Sequence, residues 1–130
     1  MYEIIKIEKY CVILNVIKGS KTCKVETFIA DGFINESRET CGISHLIEHI
    51  LTESWKKCFK KGCSLFWKNY GVLTSAETTD NTVRYFIECL AEYTPKMLEF
   101  ITSIVTDPHI TKKRLEKEKI AIVNELLSHD

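Results

Sequence analysis

His45, Glu48 and His49 stand together in the run Cys41-Gly42-Ile43-Ser44-His45-Leu46-Ile47-Glu48-His49-Ile50-Leu51. On a helix, His45 and His49 lie one turn apart on one face, and Glu48 borders that face. Imidazoles at i and i+4 project over the same turn and can grip one metal ion. A carboxylate beside them can take the proton of an attacking water. The order H-x-x-E-H is the reverse of H-E-x-x-H. A pattern this short also fits an amphipathic helix with two surface histidines, so a further ligand elsewhere decides between the readings.

Two glutamates near the end of the chain are the candidates. Glu118 and Glu125 are seven residues apart in Glu118-Lys119-Ile120-Ala121-Ile122-Val123-Asn124-Glu125. Seven residues is close to two turns, so both share one helix face. They lie roughly 10 Å apart along the axis, too far for both to ligate one ion. One can be a ligand while the other orients or charges the site. Alternatively, both are exposed helix charges balanced by Lys117 and Lys119.

The elements that must position these groups follow from periodicity. Glu3 to Glu8, Cys11 to Ile17 and Thr22 to Ala30 are β-rich runs. They are separated by turns at Lys9-Tyr10 and Lys18 to Lys21, and they predict an antiparallel meander. Cys23, Val25, Thr27 and Ile29 share one face of the third strand. A polar loop, Asp31 to Thr40, leads through Gly42 to a motif helix predicted over Ile43 to Ser54. Trp55 to Lys61 reads as a connector, followed by a short helix that stops at Gly71. Val72 to Thr78 and Thr82 to Cys89 predict a hairpin turning at Thr79-Asp80-Asn81, with Val83, Tyr85 and Ile87 on one face. Thr94-Pro95 predicts a helix start, with Thr94 as N-cap and Leu98, Ile101 and Val105 as the apolar stripe. Asp107-Pro108 ends that helix. A last helix from about Thr111 would carry Leu115, Ile122 and Leu126 on one side. The expected fold is α+β, an antiparallel sheet packed against helices as a two-layer sandwich, in one unit over 1–130.

Composition narrows the partners. Lys plus Arg is 18 and Asp plus Glu is 18, so the net charge is zero with neutral histidines. That balance gives no reason to expect a nucleic-acid or membrane-surface partner. The first residues lack a signal-peptide pattern, and no apolar run reaches membrane length. A cytoplasmic location is therefore expected. Cys11, Cys23, Cys41, Cys58, Cys63 and Cys89 are then expected to be thiols. Cys58 and Cys63 are the closest cysteine pair, and no second metal site is expected at them.

The motifs together resemble the N-terminal part of a domain of the pitrilysin family of inverzincins. That family includes insulin-degrading enzyme and the mitochondrial processing peptidase. Its pattern is H-x-x-E-H, then a distant ligand Glu preceded by another Glu seven positions earlier. Here 75 residues separate His49 from Glu125, close to the family spacing, and Glu118 holds the earlier position. Ala30-Asp31-Gly32 with Asn35-Glu36 and Gly42 resembles the loop before the family helix. Gly71 through Phe86 resembles the family hairpin, and the segment from Asp107 onwards resembles its Glu-bearing helix. The resemblance implies that His45, His49 and Glu125 bind Zn2+, that Glu48 is the general base, and that Glu118 is a supporting catalytic carboxylate. It implies hydrolysis of a peptide substrate, which Val72 to Thr78 could receive by strand addition along its edge.

The chain also departs from the family. Ser75 stands where the hairpin usually has an Asn that holds substrate backbone, and Leu51-Thr52-Glu53-Ser54-Trp55 replaces a Phe-Lys-Gly-Thr-like run. Family domains run on for about as long again, and a second domain supplies Arg and Tyr groups. The resemblance therefore implies completion by a second protein chain or by self-association, or else that the sequence is a fragment of a longer protein. A non-catalytic partner subunit is the alternative, although such subunits commonly lose motif residues that are all kept here. A third reading is the H-x-x-E-H lyase that acts on S-ribosylhomocysteine. Its third ligand is a Cys well downstream of the motif, and beyond the hairpin that ends at Cys89 there is no cysteine.

Overall fold

The computed structural model describes residues 2–8, 10–58, 71–108 and 110–128, with side chains described through Glu53 in the first helix. In chain order the elements are β1 (Tyr2–Ile7), β2 (Tyr10–Asn15), β3 (Thr22–Ile29), α1 (Ile43–Cys58), β4 (Leu73–Thr78), β5 (Val83–Leu90), α2 (Thr94–Thr106) and α3 (Lys112–Ser128). Short 3-10 turns occupy Phe33–Asn35 and Ala91–Tyr93.

β5 is the central strand because it has an unbroken apolar face. Val83, Tyr85, Ile87 and Cys89 are buried, and the residues between them are not. β3 and β4 pair with it antiparallel on either side, giving the order β3-β5-β4. Val25 pairs with Ile87, and Ala76 with Tyr85. α2 lies across β3 and β5, α1 against β4 and β5, and α3 against α1. Met97, Phe100, Ile101 and Ile104 from α2 and Leu51 from α1 close the core over the sheet. The α+β architecture of antiparallel sheet and helices is as expected, with two antiparallel sheets among the described residues.

The meander expectation fails at its third strand. β1 and β2 form a separate hairpin, with Ile4 opposite Ile13 and Ile5 opposite Val12, and every residue of both strands is exposed. β3 leaves that hairpin because its Val25 face finds burial beside β5 and α2. Tyr10 belongs to β2 rather than to a turn, and Lys9 lies outside the described residues.

α1 continues through Cys58 instead of ending at Ser54, because no Gly or Pro interrupts Trp55-Lys56-Lys57. The remainder of the expected connector, the short helix before Gly71 and Cys63 lie outside the described residues. The hairpin turns as predicted, the Thr79 N–H donating to the Thr82 carbonyl at 2.9 Å.

α2 begins one residue differently. Tyr93 is its N-cap, and the Thr94 hydroxyl donates backwards to the Ala91 carbonyl at 2.7 Å instead of capping. Its buried stripe is Met97, Phe100, Ile101 and Ile104, whereas Leu98 is exposed. The sheet thus sees the helix about one residue away from the expected stripe. On α3, Leu115 and Ile122 are half-buried and Leu126 is exposed, while Arg114 and Glu118 are the buried residues. No helix among the described residues is long and apolar enough to cross a membrane.

Candidate metal centre

The motif helix is aimed by the loop before it. The Asp31 carboxylate accepts from the Gly32 N–H at 3.0 Å and from Asn35 Nδ2 at 2.9 Å, folding the loop on itself. The folded loop then docks on the β4–β5 turn. The Phe33 N–H donates to the Thr79 carbonyl at 3.2 Å, and the Ile34 N–H to the Asp80 carbonyl at 2.9 Å. Gly32 permits this approach, because a Cβ there would collide with the Thr79 carbonyl oxygen.

Glu36 then covers the start of α1. Its two carboxylate oxygens accept the N–H groups of Gly42 at 2.5 Å and Ser44 at 2.8 Å, donors that a helix start leaves without intrahelical partners. Burial pushes the Glu36 pKa up, but these hydrogen bonds outweigh it and hold the carboxyl below its ordinary value. Gly42 bends the chain into the helix at φ 85°, a left-handed conformation costly for other residues.

On α1 the two imidazoles converge. Nε2 of His45 and Nε2 of His49 are 3.1 Å apart, with ring centroids at 4.6 Å and an edge-on angle of 85°. From α3, Glu125 Oε2 lies 3.4 Å from His49 Nε2 and 3.9 Å from His45 Nε2. In a tetrahedral zinc site with bonds near 2.0–2.1 Å, neighbouring ligand atoms stand about 3.3 Å apart. The three donor atoms bracket that spacing, and among the described residues they form a metal-capable group. The imidazole side chains are about one-fifth exposed and Glu125 is 43 % exposed, so the group opens to solvent on one side. Two neutral imidazoles, one carboxylate and an open direction are the donor set of a catalytic zinc site.

Two further carboxylates flank these donors. Glu118 is buried, and its Oε2 lies 3.5 Å from Nδ1 of His49, the ring nitrogen turned away from the convergence point. A carboxylate there favours the tautomer with the proton on Nδ1 and frees Nε2 as a donor. Lys117 Nζ balances the buried charge at 3.2 Å and also reaches Glu53 at 3.4 Å. Glu118 first, and Glu53 after it, push the Lys117 ammonium pKa up. The Arg114 guanidinium donates to the Glu53 carbonyl at 3.4 Å, a second link from α3 to α1.

Glu48 sits at the border of the histidine face, and one of its oxygens accepts the Thr78 hydroxyl at 2.7 Å. Thr78 ends β4, so the sheet edge and the motif helix meet at this bond. Beneath them Tyr85 is fully buried; burial, with the Glu48 charge adding to it, holds its phenol well above the usual range. A cleft of about 260 Å³ lined by Glu48, His49, Thr52, Glu53 and Glu118 opens beside these groups.

The structure therefore brings together all five sequence-derived candidates, His45, Glu48, His49, Glu118 and Glu125. Ser75 is exposed on β4, on the face opposite Ala76 and Thr78. Sequence reasoning missed Glu36, Thr78 and the Glu53–Arg114–Lys117 links. Asn35-Glu36 was visible as a loop feature, but a cap reaching six and eight residues ahead has no local signature. Thr78 touches Glu48 across thirty residues, which only the fold reveals.

Comparison with known proteins bears on the fold and the family. The model of the insulinase family, Peptidase family M16, matches residues 11–129. The mitochondrial-processing peptidase subunit beta of Caenorhabditis elegans is 23% identical over 108 residues, covering 83% of this chain and 24% of the relative. The mitochondrial cytochrome b-c1 complex subunit 1 of Bos taurus is 27% identical over 109 residues, covering 84% and 23%. The chain thus spans about a quarter of the length of these curated relatives. A protease from Helicobacter pylori superposes with a TM-score of 0.84 at 23% identity, over 96% of this chain and 30% of its own. Pitrilysin superposes with a TM-score of 0.81 at 21% identity, over 97% and 14%. With the family model spanning nearly its whole length, this chain belongs to the insulinase family of peptidases, family M16.

Proposed function

We propose that this chain is the metal-bearing part of a zinc metalloendopeptidase that hydrolyses peptide bonds. The observation that carries the reading is the convergence of His45, His49 and Glu125 donor atoms, with Glu48 at their border. His45, His49 and Glu125 would hold the zinc, and Glu118 would orient His49. Bound zinc would supply Lewis-acid polarisation of the scissile carbonyl and ease ionisation of water. Glu48 then takes the water proton and passes it to the leaving amine. The Thr78 hydroxyl ties down one Glu48 oxygen and leaves the other for that proton. An extended substrate would lie along the edge of β4 that is unpaired among the described residues, which brings its backbone past Thr78 and Glu48. A second chain or a second copy would contribute to the substrate site. Relatives named as subunits of a processing peptidase and of the cytochrome b-c1 complex support that reading.

A non-catalytic subunit is the second reading, favoured by the similarity to cytochrome b-c1 complex subunit 1 and by Ser75 in the hairpin. Metal analysis and peptide cleavage separate the two. The wild-type chain should bind about one zinc ion, and His45→Ala and Glu125→Ala should lose it. Glu48→Gln should keep the zinc and lower cleavage of a mixed peptide library by about 10²–10⁴-fold, because an amide accepts no proton. Zinc retained in both ligand variants, or equal cleavage by Glu48→Gln, would overturn the assignment. Zinc binding with no cleavage, alone or with the partner, would select the second reading.

A further inference from the structure

At the far end of the sheet the β3–β5 ladder sets two cysteines directly opposite each other, Cys23 and Cys89. Two rows away the Ala91 N–H donates to the Lys21 carbonyl at 2.9 Å. Hydrogen-bonded rows alternate, so the Cys23–Cys89 row is also of that kind, with Cα atoms about 5.5 Å apart. That lies within the roughly 4.4–6.8 Å that a disulfide spans between Cα atoms, and closing the bond draws the two Cβ atoms together by about 1 Å from their spacing in such a row. Directly opposed residues project from the same face, so the two thiols share one side of the sheet. Burial, and the neighbouring Cys23 thiol after it, push the Cys89 thiol pKa up, in keeping with that proximity.

Access is unequal. Cys23 is half-buried and Cys89 only 3% exposed. Both line a shallow cleft of about 360 Å³ with Thr22, Lys24, Glu88 and Leu90, through which a small reagent can reach the outer thiol. The other two cysteines with described side chains lack this arrangement. Cys11 is exposed opposite Lys6, and Cys41 is exposed in the loop before α1.

We propose that Cys23 and Cys89 form a dithiol site that a low-molecular-weight disulfide converts to a cross-strand disulfide. The Cys23 thiolate attacks one sulfur of the reagent, forming a mixed disulfide and releasing one reagent thiolate, which takes up a proton. Cys89 then loses its proton to solvent and attacks the Cys23 sulfur. The new S–S bond forms as the second reagent thiolate leaves, so two protein thiols are oxidised and one reagent disulfide is reduced. The bond closes the stretch from Cys23 to Cys89, which contains α1 and β4. It lies six ladder rows, about 20 Å, from the Val83 end where Thr78 meets Glu48. The modification is therefore separate from the proposed peptidase site and does not depend on it.

The test is a thiol map of the whole chain. Reduced protein is incubated with oxidised glutathione, blocked with an alkylating agent, digested without reduction and analysed by mass spectrometry. The expected product is a pair of peptides joined through Cys23 and Cys89. Closing so long a loop should raise the Tm on the order of 10 °C, reversibly with dithiothreitol. Cys89→Ala should stop at a glutathione adduct on Cys23, with no such rise. Wild-type protein in which both residues take the alkylating agent would overturn the proposal. So would a persistent glutathione adduct on Cys23 beside a free Cys89, and neither result requires a variant that folds.

Discussion

α2 and α3 are successive helices that attach to the molecule in opposite ways. α2 turns Met97, Phe100, Ile101 and Ile104 into the core. α3 turns Arg114 and Glu118 inward and leaves Ile120, Val123, Leu126 and Leu127 between 54% and 69% exposed. Burying a large apolar side chain is worth about 1.5–3 kcal/mol, so α2 is held by packing. A buried charge must first offset its own desolvation through partners, and it gives weak net stability even then. α3 is therefore placed by what it must present: Glu118 to His49, Glu125 to both imidazoles, and Arg114 and Lys117 to Glu53. One helix serves the core and the other serves the site. The outward apolar stripe of α3 is the kind of surface from which protein contacts are made.

The largest effect should appear in the packed helix. Phe100→Ala should cost about 3–5 kcal/mol, read as a lowered urea midpoint at unchanged slope. A cost below about 1 kcal/mol would mean that α2 is not held by its core face. The metal should act on the other helix. Zinc at about a hundred times its Kd should slow hydrogen exchange along α3 by up to about a hundredfold, about 2.7 kcal/mol, and leave α2 near its metal-free rates. Equal slowing in both would show that they open as one unit. The smallest effect should lie on the outer face. Ile120→Gln with Leu127→Gln should shift the stability of the isolated chain by no more than about 0.5 kcal/mol. A loss above about 1 kcal/mol would show that this stripe is already packed.

What the sequence makes legible follows the same division. β5 reads correctly because a half-buried strand leaves its alternation in the residues themselves, Val83, Tyr85 and Ile87 against Arg84, Phe86 and Glu88. The shared side of α3 is only partly covered: Leu115 and Ile122 are half-buried and Leu126 is exposed, while the helix buries Glu118. Periodicity marks which residues share a face but not whether that face is covered by this chain. Adjacency in sequence groups β3 with β1 and β2, a default that yields to the burial of Val25 beside Ile87. The histidines and glutamates were legible because one helix turn and two helix turns are fixed lengths. The bonds of Glu36 to α1 and of Thr78 to Glu48 were not, because they join elements whose approach only the folded chain defines.

The interval between Glu118 and Glu125 has a consequence for how such a chain can change over time. One residue inserted between them would swing Glu125 about 100° around the helix axis while Glu118 stayed beside His49. A full heptad would nearly restore the direction but would carry the carboxylate about 10 Å past the imidazoles. Substitution and insertion are thus very unequal events on this helix. Its outer letters, Ile120, Val123 and Leu127, can be rewritten freely as far as the two carboxylates are concerned, but the count of letters between Glu118 and Glu125 cannot change. Here α3 behaves as a vernier: a single insertion or deletion in this interval throws one of the two carboxylates out of phase with the imidazoles.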